Sequence, residues 1–305
     1  MDDLFELWEK PAAGKYMIAG WRQWADAGSA SSGLPQYLVE QARARRIGQI
    51  KPGGFYLFQI PGTHHLIRPV VKLEDGYPRR LEGRRNDFFY AGDRGDGFLI
   101  FLGDEPHRDE ERYTEAFFEA IETLGVKRVA VVAGVYAPVP YDKDRNISCA
   151  YSLRAMKEGL AKYAVRFSDY EGGTSIGTYL ADRAGRRGIE FFAFYALVPS
   201  YDFSQASAMV QPVAIGEDYK AWYDLMRRLK HMFNLRLDLS DLERQSEDLV
   251  SEWDANIEKL ARTMPQLGVR DYMEEVNDEF SETSFEPLSD VWDEALGQLF
   301  DGLEE

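Results

Sequence analysis

The side chains best equipped to move protons or hold a charged ligand sit in four short stretches, each following an apolar run. Trp21, Trp24 and Asp26 follow the first run, and Asp104, Glu105 and His107 the second. Tyr141, Asp142, Asp144 and Arg145 follow the third, and Ser200, Tyr201 and Asp202 the fourth. Asp104-Glu105-Pro106-His107 is the nearest approach to an acid and base group, because a carboxylate beside an imidazole orients it and raises its pKa, as proton transfer requires. Asp26, Glu105 and His107 are therefore the candidate catalytic residues. A structural reading competes with this one. Pro106 stiffens the loop, and a carboxylate at position 105 also suits the start of a following helix, where the helix dipole favours negative charge.

Other chemistries are less well supplied. Tyr170-Glu171-Gly172-Gly173-Thr174-Ser175 is a glycine turn entering a helical pattern, the arrangement that can hold a phosphate on free backbone amides. It lacks the lysine of a P-loop and is not G-x-G-x-x-G, so a plain helix start capped by Thr174 or Ser175 is the better reading. Ser29, Ser31 and Ser32 lie close to Asp26, but no G-x-S-x-G elbow is present. Cys149 sits in an apolar setting that favours an inert thiol. His64 and His65 are adjacent and on a strand point to opposite faces, so no metal site is expected, and no cofactor either.

These stretches need elements to position them. The apolar runs at 16–20, 98–103, 129–134 and 191–199 are short enough for strands buried on both faces. Helical patterns at 29–46, 109–124 and 174–187 lie between them. Alternation of strand and helix predicts an α/β fold, a mainly parallel sheet with helices on both faces. Residues 55–81, with Asp75-Gly76-Tyr77-Pro78 as a turn, read as an antiparallel excursion. In an open parallel sheet ligands gather at the carboxyl ends of strands. The four stretches thus predict one cleft lined by Trp21, Asp26, Asp104, Glu105, His107, Tyr141, Arg145, Thr174 and Tyr201, with Trp21 and Trp24 packed into its wall.

Beyond residue 215 the pattern turns helical, with Trp222, Leu225, Met226, Leu229 and Phe233, then Leu242, Leu249, Trp253, Ile257 and Leu260, at three- and four-residue spacings. Pro265 interrupts, and Leu288, Trp292, Leu296, Leu299 and Leu303 mark a last amphipathic segment. The division predicted is an α/β domain over 1–235 and an acidic helical extension over 236–305.

A chain of 305 residues with 45% hydrophobic content has ample material for a core. Its net charge of −16 is confined to residues 241–305, which hold 20 acidic and 4 basic residues. Such a surface repels nucleic acid and anionic lipid, so neither is an expected partner, whereas a protein with a basic surface is. No run of about eighteen apolar residues occurs. The lone cysteine and an N-terminus without an export pattern lead to the expectation of a cytoplasmic protein.

The ordered set of motifs resembles the proteasome assembly chaperone two (PAC2) family over roughly residues 15–235. It comprises Gly20-Trp21 to Asp26-Ala27-Gly28, Arg68-Pro69, Gly103-x-Glu105-Pro106, Val139-Pro140, Tyr170-Glu171-Gly172 and Pro199-Ser200-Tyr201. The resemblance implies an α/β core similar to that of nucleoside phosphorylases and related hydrolases, self-association with a trimer the expected state, and a helical C-terminal addition. Eukaryotic relatives chaperone proteasome α rings. Three departures stand out: the extra residues 22–25 within the turn, Tyr141-Asp142 where relatives often carry a histidine, and an ending, Leu303-Glu304-Glu305, without the hydrophobic-tyrosine-x tail of proteasome-binding chaperones. Two functions compete at this stage: a non-enzymatic assembly or scaffold protein, and a binding protein or enzyme for a nucleoside- or phosphate-like ligand.

Overall fold

In the computed structural model, residues 4–11, 15–58, 68–92, 97–204 and 211–285 are described. His64, His65 and the amphipathic segment from Leu288 lie outside them. The strands are β1 (Phe5–Leu7), β2 (Tyr16–Arg22), β3 (Arg45–Ile50), β4 (Val70–Glu74), β5 (Tyr77–Glu82), β6 (Asn86–Ala91), β7 (Phe98–Asp104), β8 (Arg128–Ala137), β9 (Ile147–Tyr151), β10 (Val165–Phe167), β11 (Glu190–Tyr201) and β12 (Val213–Ala214). The helices are α1 (Gly33–Gln41), α2 (Glu110–Leu124), α3 (Met156–Ala161), α4 (Ile176–Arg187), α5 (Tyr219–Phe233), α6 (Ser240–Thr263) and α7 (Val269–Glu279).

The main sheet runs in the order β1-β3-β6-β7-β2-β8-β11-β9-β10, with β12 on β11. The four strands predicted from apolar runs are its parallel centre, β7-β2-β8-β11. The flanks are largely antiparallel, through β1, β3 and β6 on one side and β9 on the other. Alternate residues of the central strands feed two cores, as a pleat with period 2 requires. Met17, Ala19, Phe101, Val129, Val131 and Ala193 meet α2 and α4 on one face, and Ile18, Ile100, Ala130, Val132, Phe192 and Phe194 meet α1 and α5 on the other. Helices cover both faces, so the central strands are apolar almost throughout.

The helix expected over 29–46 is shorter. A 3-10 turn at Ala27–Ser29 precedes α1, which stops at Gln41. Arg43 then takes a left-handed backbone (φ 47°) and Arg45 opens β3, whose arginines stay exposed while Ile47 and Ile50 are buried. Arg45-Arg46-Ile47-Gly48-Gln49-Ile50 shows no clean alternation, because the register shifts between Arg46 and Gly48, and it merged with the preceding helical pattern. Of the antiparallel excursion, residues 59–67 lie outside the described residues. Phe55 is buried off-strand against Tyr113, ring centres 5.3 Å apart, and among the described residues of the stretch β4 and β5 form a hairpin, turning through left-handed Asp75 and Gly76. That hairpin is a sheet of its own. Strands β6, β9 and β10 and helix α3 had no counterpart in the periodicity.

The C-terminal helices close over the strand ends. Helix α6 lies on α5 through Leu242, and Tyr201 and Phe203 pack with Leu267, Val269, Met273 and Val276 around α7. Beyond α7 the chain is strapped back: Asn146 Nδ2 donates to Ser281 O (3.0 Å) and Thr283 N donates to Asn146 Oδ1 (3.0 Å). Phe285 ends this strap against Tyr163, ring centres 5.9 Å apart. Among the described residues no helix is long and apolar enough to cross a membrane.

Candidate functional site

The turn after β2 is built by close backbone approach. Gly134 N donates to Ala25 O (2.9 Å), and a Cβ on Gly134 would stand 2.1 Å from Ala27 O, so only glycine fits there. Gly28 adopts φ 62°, and a Cβ on it would reach 2.7 Å from Asp218 Cβ at the head of α5. Gln23, Ala25 and Ser29 also carry positive φ (103°, 54° and 51°), a concentration of backbone strain that persists only where the surroundings over-determine it.

Asp26 is part of that over-determination. Its Oδ1 accepts from Ser31 N and Ser32 N, each at 2.9 Å, which holds the entry to α1. Burial pushes its pKa upward, opposed by the bonds from Ser32 and Ser31. Glu105 does comparable work just past the end of β7. Its Oε1 accepts from Ile176 N (2.6 Å), the first residue of α4, and the carboxylate also accepts from the Trp24 backbone. The helix start considered for a phosphate therefore has one of its amides taken by a carboxylate of the protein itself, with Ser175 as N-cap accepting from Thr178 N. Thr174 turns its hydroxyl to Ser175 O (3.1 Å). Burial raises the Glu105 pKa against these two hydrogen bonds.

Asp104 is fully buried at the end of β7. It takes Arg22 as a bidentate partner (Nε to Oδ1 and Nη2 to Oδ2, both 2.8 Å), Arg84 Nη1 at 3.2 Å and the Arg85 backbone N–H at 2.8 Å. The pair with Asp104 raises the pKa of Arg22. Behind it lies a hydroxyl and amide chain: Trp21 Nε1 donates to Tyr113 Oη (2.8 Å), and Tyr113 and Tyr56 hydroxyls both reach Asn86 Oδ1 (2.9 Å).

His107 lies beside this group, its ring edge-on to that of Tyr56 with centres 5.5 Å apart. Its Nδ1 accepts from Leu57 N (3.0 Å) and its Nε2 meets Gln23 Oε1 at 3.2 Å, an arrangement that assigns the proton to Nε2. The expected rise in its pKa is reversed. Burial first, then the nearby Arg84, lower it, outweighing Asp104, so the ring is neutral near pH 7 and its one lone pair is already engaged.

The loop after β8 is anchored by charge. Arg145 is 1% exposed and forms a bidentate pair with fully buried Asp218, Nε to Oδ2 at 2.8 Å and Nη2 to Oδ1 at 3.2 Å. Its Nη1 donates to the carbonyls of Pro140, Tyr141 and Lys143 at 3.1, 3.0 and 2.8 Å. Asp218 also caps α5 through Ala221 N, and Asp224 accepts from Arg145 N at 2.6 Å. Tyr141 donates to Asp254 on α6 (2.7 Å), and buried Tyr201 donates to Val139 O (2.9 Å).

The structure thus brings Asp26, Asp104, Glu105 and Thr174 to one region of the strand ends, with Trp21 buried beneath. Arg145, Tyr141 and Tyr201 lie further along, under α5, α6 and α7. Trp24 departs from its expected place in the wall: it is 56% exposed, because Gln23 and Ala25 turn the backbone outward on either side of it. Tyr136 and Tyr170 are 52% and 72% exposed at the same strand ends. Sequence reasoning missed Arg22, Arg84, Asn86, Asp218 and Asp224. Each lies on an element other than its partner's, and only the pairing of β7 with β2 and β6, or the packing of α5, brings them in. Among the described residues no group of three or more His, Cys, Asp or Glu side chains could hold a metal ion.

A doubly covered mixed sheet whose strand-end loops are locked by internal carboxylates defines an α/β protein with an added helical C-terminal part. The PAC2 family model matches residues 21–260, and the chain belongs to that family. A comparison with curated proteins finds no match. Among solved structures, the proteasome-assembly chaperone homologue Rv2125 of Mycobacterium tuberculosis is 23% identical, with 79% of this chain and 94% of that one covered and a TM-score of 0.67. A PAC2 family protein of Streptomyces avermitilis is 20% identical, covering 84% and 98%, with a TM-score of 0.66. PbaB of Pyrococcus furiosus, an archaeal proteasome activator, is 14% identical, covering 83% and 98%, with a TM-score of 0.58. At these identities the likeness is one of fold.

Proposed function

We propose that this protein is a non-enzymatic, assembly-chaperone-like or scaffold member of the PAC2 family that acts on protein partners in the cytoplasm as a homo-oligomer, three subunits being the state the family resemblance implies. One observation carries the reading. Asp26, Asp104 and Glu105, the buried and half-buried carboxylates at the strand ends, are spent on backbone amides and arginines, while the rings of Trp24, Tyr136 and Tyr170 face solvent there. Exposed aromatic rings are the usual anchors of protein interfaces, offering much contact area for little lost side-chain freedom. The names of Rv2125 and PbaB, a chaperone homologue and a proteasome activator, are in keeping with a partner of that kind.

The test is crosslinking and co-purification from the source cell with the intact chain and with a Trp24→Ala, Tyr136→Ala, Tyr170→Ala variant. The expected result is a partner retained by the intact chain and lost from the variant. Retention by both, together with a nucleoside or phosphate ligand whose affinity falls at least tenfold in Glu105→Gln, would overturn the proposal in favour of a small-molecule site.

A further inference from the structure

The hairpin of β4 and β5 is exposed along every residue of both strands. Its register pairs Val71 with Leu81 and Leu73 with Pro78 on one face. The opposite face is mixed: it pairs Lys72 with Arg80, Val70 with Glu82 and Glu74 with Tyr77, and carries ion pairs from Arg79 to Glu74 and from Arg80 to Glu82. The Val71, Leu73 and Leu81 face is the apolar one. Val71, Leu73 and Leu81 are 48%, 58% and 67% exposed, in a two-stranded element that is marginal in water without cover. Residues 68–85 carry six basic and three acidic side chains, a local excess of positive charge in a strongly acidic protein.

The complementary piece is in the same sequence. Residues 286–305 hold seven acidic and no basic residues, with Leu288, Trp292, Leu296, Leu299 and Leu303 at the three- and four-residue spacing of one helix face. Where the chain enters that segment decides whose hairpin it meets. The strap before it is fixed by Arg228, whose guanidinium reaches Thr283 O and lies 5.2 Å from the Phe285 ring, and by Arg166 on Ser281 O. Phe285 is thereby held beside Tyr163, next to β10 at one edge of the sheet. The hairpin rises from Arg84 and Arg85 before β6. Six strand spacings separate β10 from β6, about 29 Å. Leu288 is three residues past Phe285 and reaches about 10 Å at most. A helix over 288–303 adds about 22 Å, so only its last turn could reach the hairpin of its own chain.

We infer that the apolar face of the β4–β5 hairpin binds the acidic amphipathic segment 288–303 of a second copy of this chain. This is the helix-on-apolar-surface mode, with anchors at i, i+4, i+8, i+11 and i+15. Each chain offers one hairpin and one segment, so the exchange closes either as a reciprocal, isologous pair or, head to tail, as a heterologous ring. The inference rests on the homo-oligomer of the proposed function and names the contact that forms it: a monomeric chain would overturn both, whereas variants that keep the assembled mass would overturn this contact alone.

The experiment is the mass of the full-length chain by light scattering and sedimentation over a range of concentrations. One variant carries Leu73→Asp and Leu81→Asp, exposed positions that leave the folded body untouched, and a second carries Trp292→Asp and Leu296→Asp. Each variant alone is expected to dissociate, with a dissociation constant at least about a hundredfold above that of the unaltered chain, as for loss of central apolar anchors. An equimolar mixture of the two restores association, because one sound hairpin then meets one sound segment. An unaltered chain that is monomeric, variants that keep its mass, or a hairpin variant that dissociates while the segment variant does not would each overturn the inference; the last would point to hairpin-on-hairpin pairing.

Discussion

Replacing Arg145 with leucine separates a structural arginine from a ligand-binding one. The pair with Asp218 is wholly buried, 1% and 0% exposed at the two side chains, so solvent cannot take over when one partner is removed. Stranding a buried charge costs on the order of 3–5 kcal/mol. The carbonyls of Pro140, Tyr141 and Lys143 lose their common donor too, though those on the half-exposed stretch of the loop can turn to water. Against a total stability of roughly 5–15 kcal/mol, such a loss is a large fraction of the whole. It should lower the melting temperature by roughly 6–15 °C at about 2–3 °C per kcal/mol for a chain of this size. Urea unfolding followed by circular dichroism measures it, and a cycle with Asp218→Leu isolates the pair from the cap that Asp218 gives α5. The double variant Arg145→Leu, Asp218→Leu is expected to be at least about 2 kcal/mol more stable than the sum of single losses predicts. A single variant within about 0.5 kcal/mol of the unaltered protein, or strictly additive losses, would refute the reasoning and return Arg145 to the candidates for ligand binding.

Other outcomes follow from the same geometry. Gly28→Ala should cost roughly 1–3 kcal/mol from its left-handed backbone alone, with the clash against Asp218 added, and show as a lowered urea midpoint. Trp24→Ala should leave stability within about 0.5 kcal/mol, since the ring is more than half exposed, and a larger loss in the same titration would mean that the ring is packed. Glu105 is raised in pKa by burial, so the folded state prefers it protonated: its ionisation costs nothing below the ordinary carboxylate range and its full amount once the pH exceeds the raised folded value. Glu105→Gln keeps an acceptor for Ile176 and removes that cost, so its stability relative to the unaltered protein should improve as the pH rises from 4 to 7, and a difference, variant minus unaltered, that stays flat or falls over this range would contradict the assignment. Cys149 is buried, which pushes its thiol up to about 12, so a thiol reagent should label it only as fast as the protein unfolds.

The central strands and their helices were legible because each signal is local. A run such as Phe98–Asp104 is apolar at nearly every position since both faces are covered, and Ser175 and Asp218 cap helices through amides only a few residues away. The flanking strands were not legible, because β3, β6 and β9 owe their pairing to neighbours that the sequence pattern does not name. The fate of the polar residues was further still from view. Glu105 meets Ile176 across 71 residues, and Arg145 meets Asp218 across 73. Residue types at strand ends established that charge would collect there, and motif order established the PAC2 family. Only the tertiary structure decided that Asp26, Asp104, Glu105 and Arg145 face partner charges and the backbone while the rings of Trp24, Tyr136 and Tyr170 face solvent. The physical reason is that burying a carboxylate is tolerable only with donors in place, and those donors were brought by elements distant in sequence.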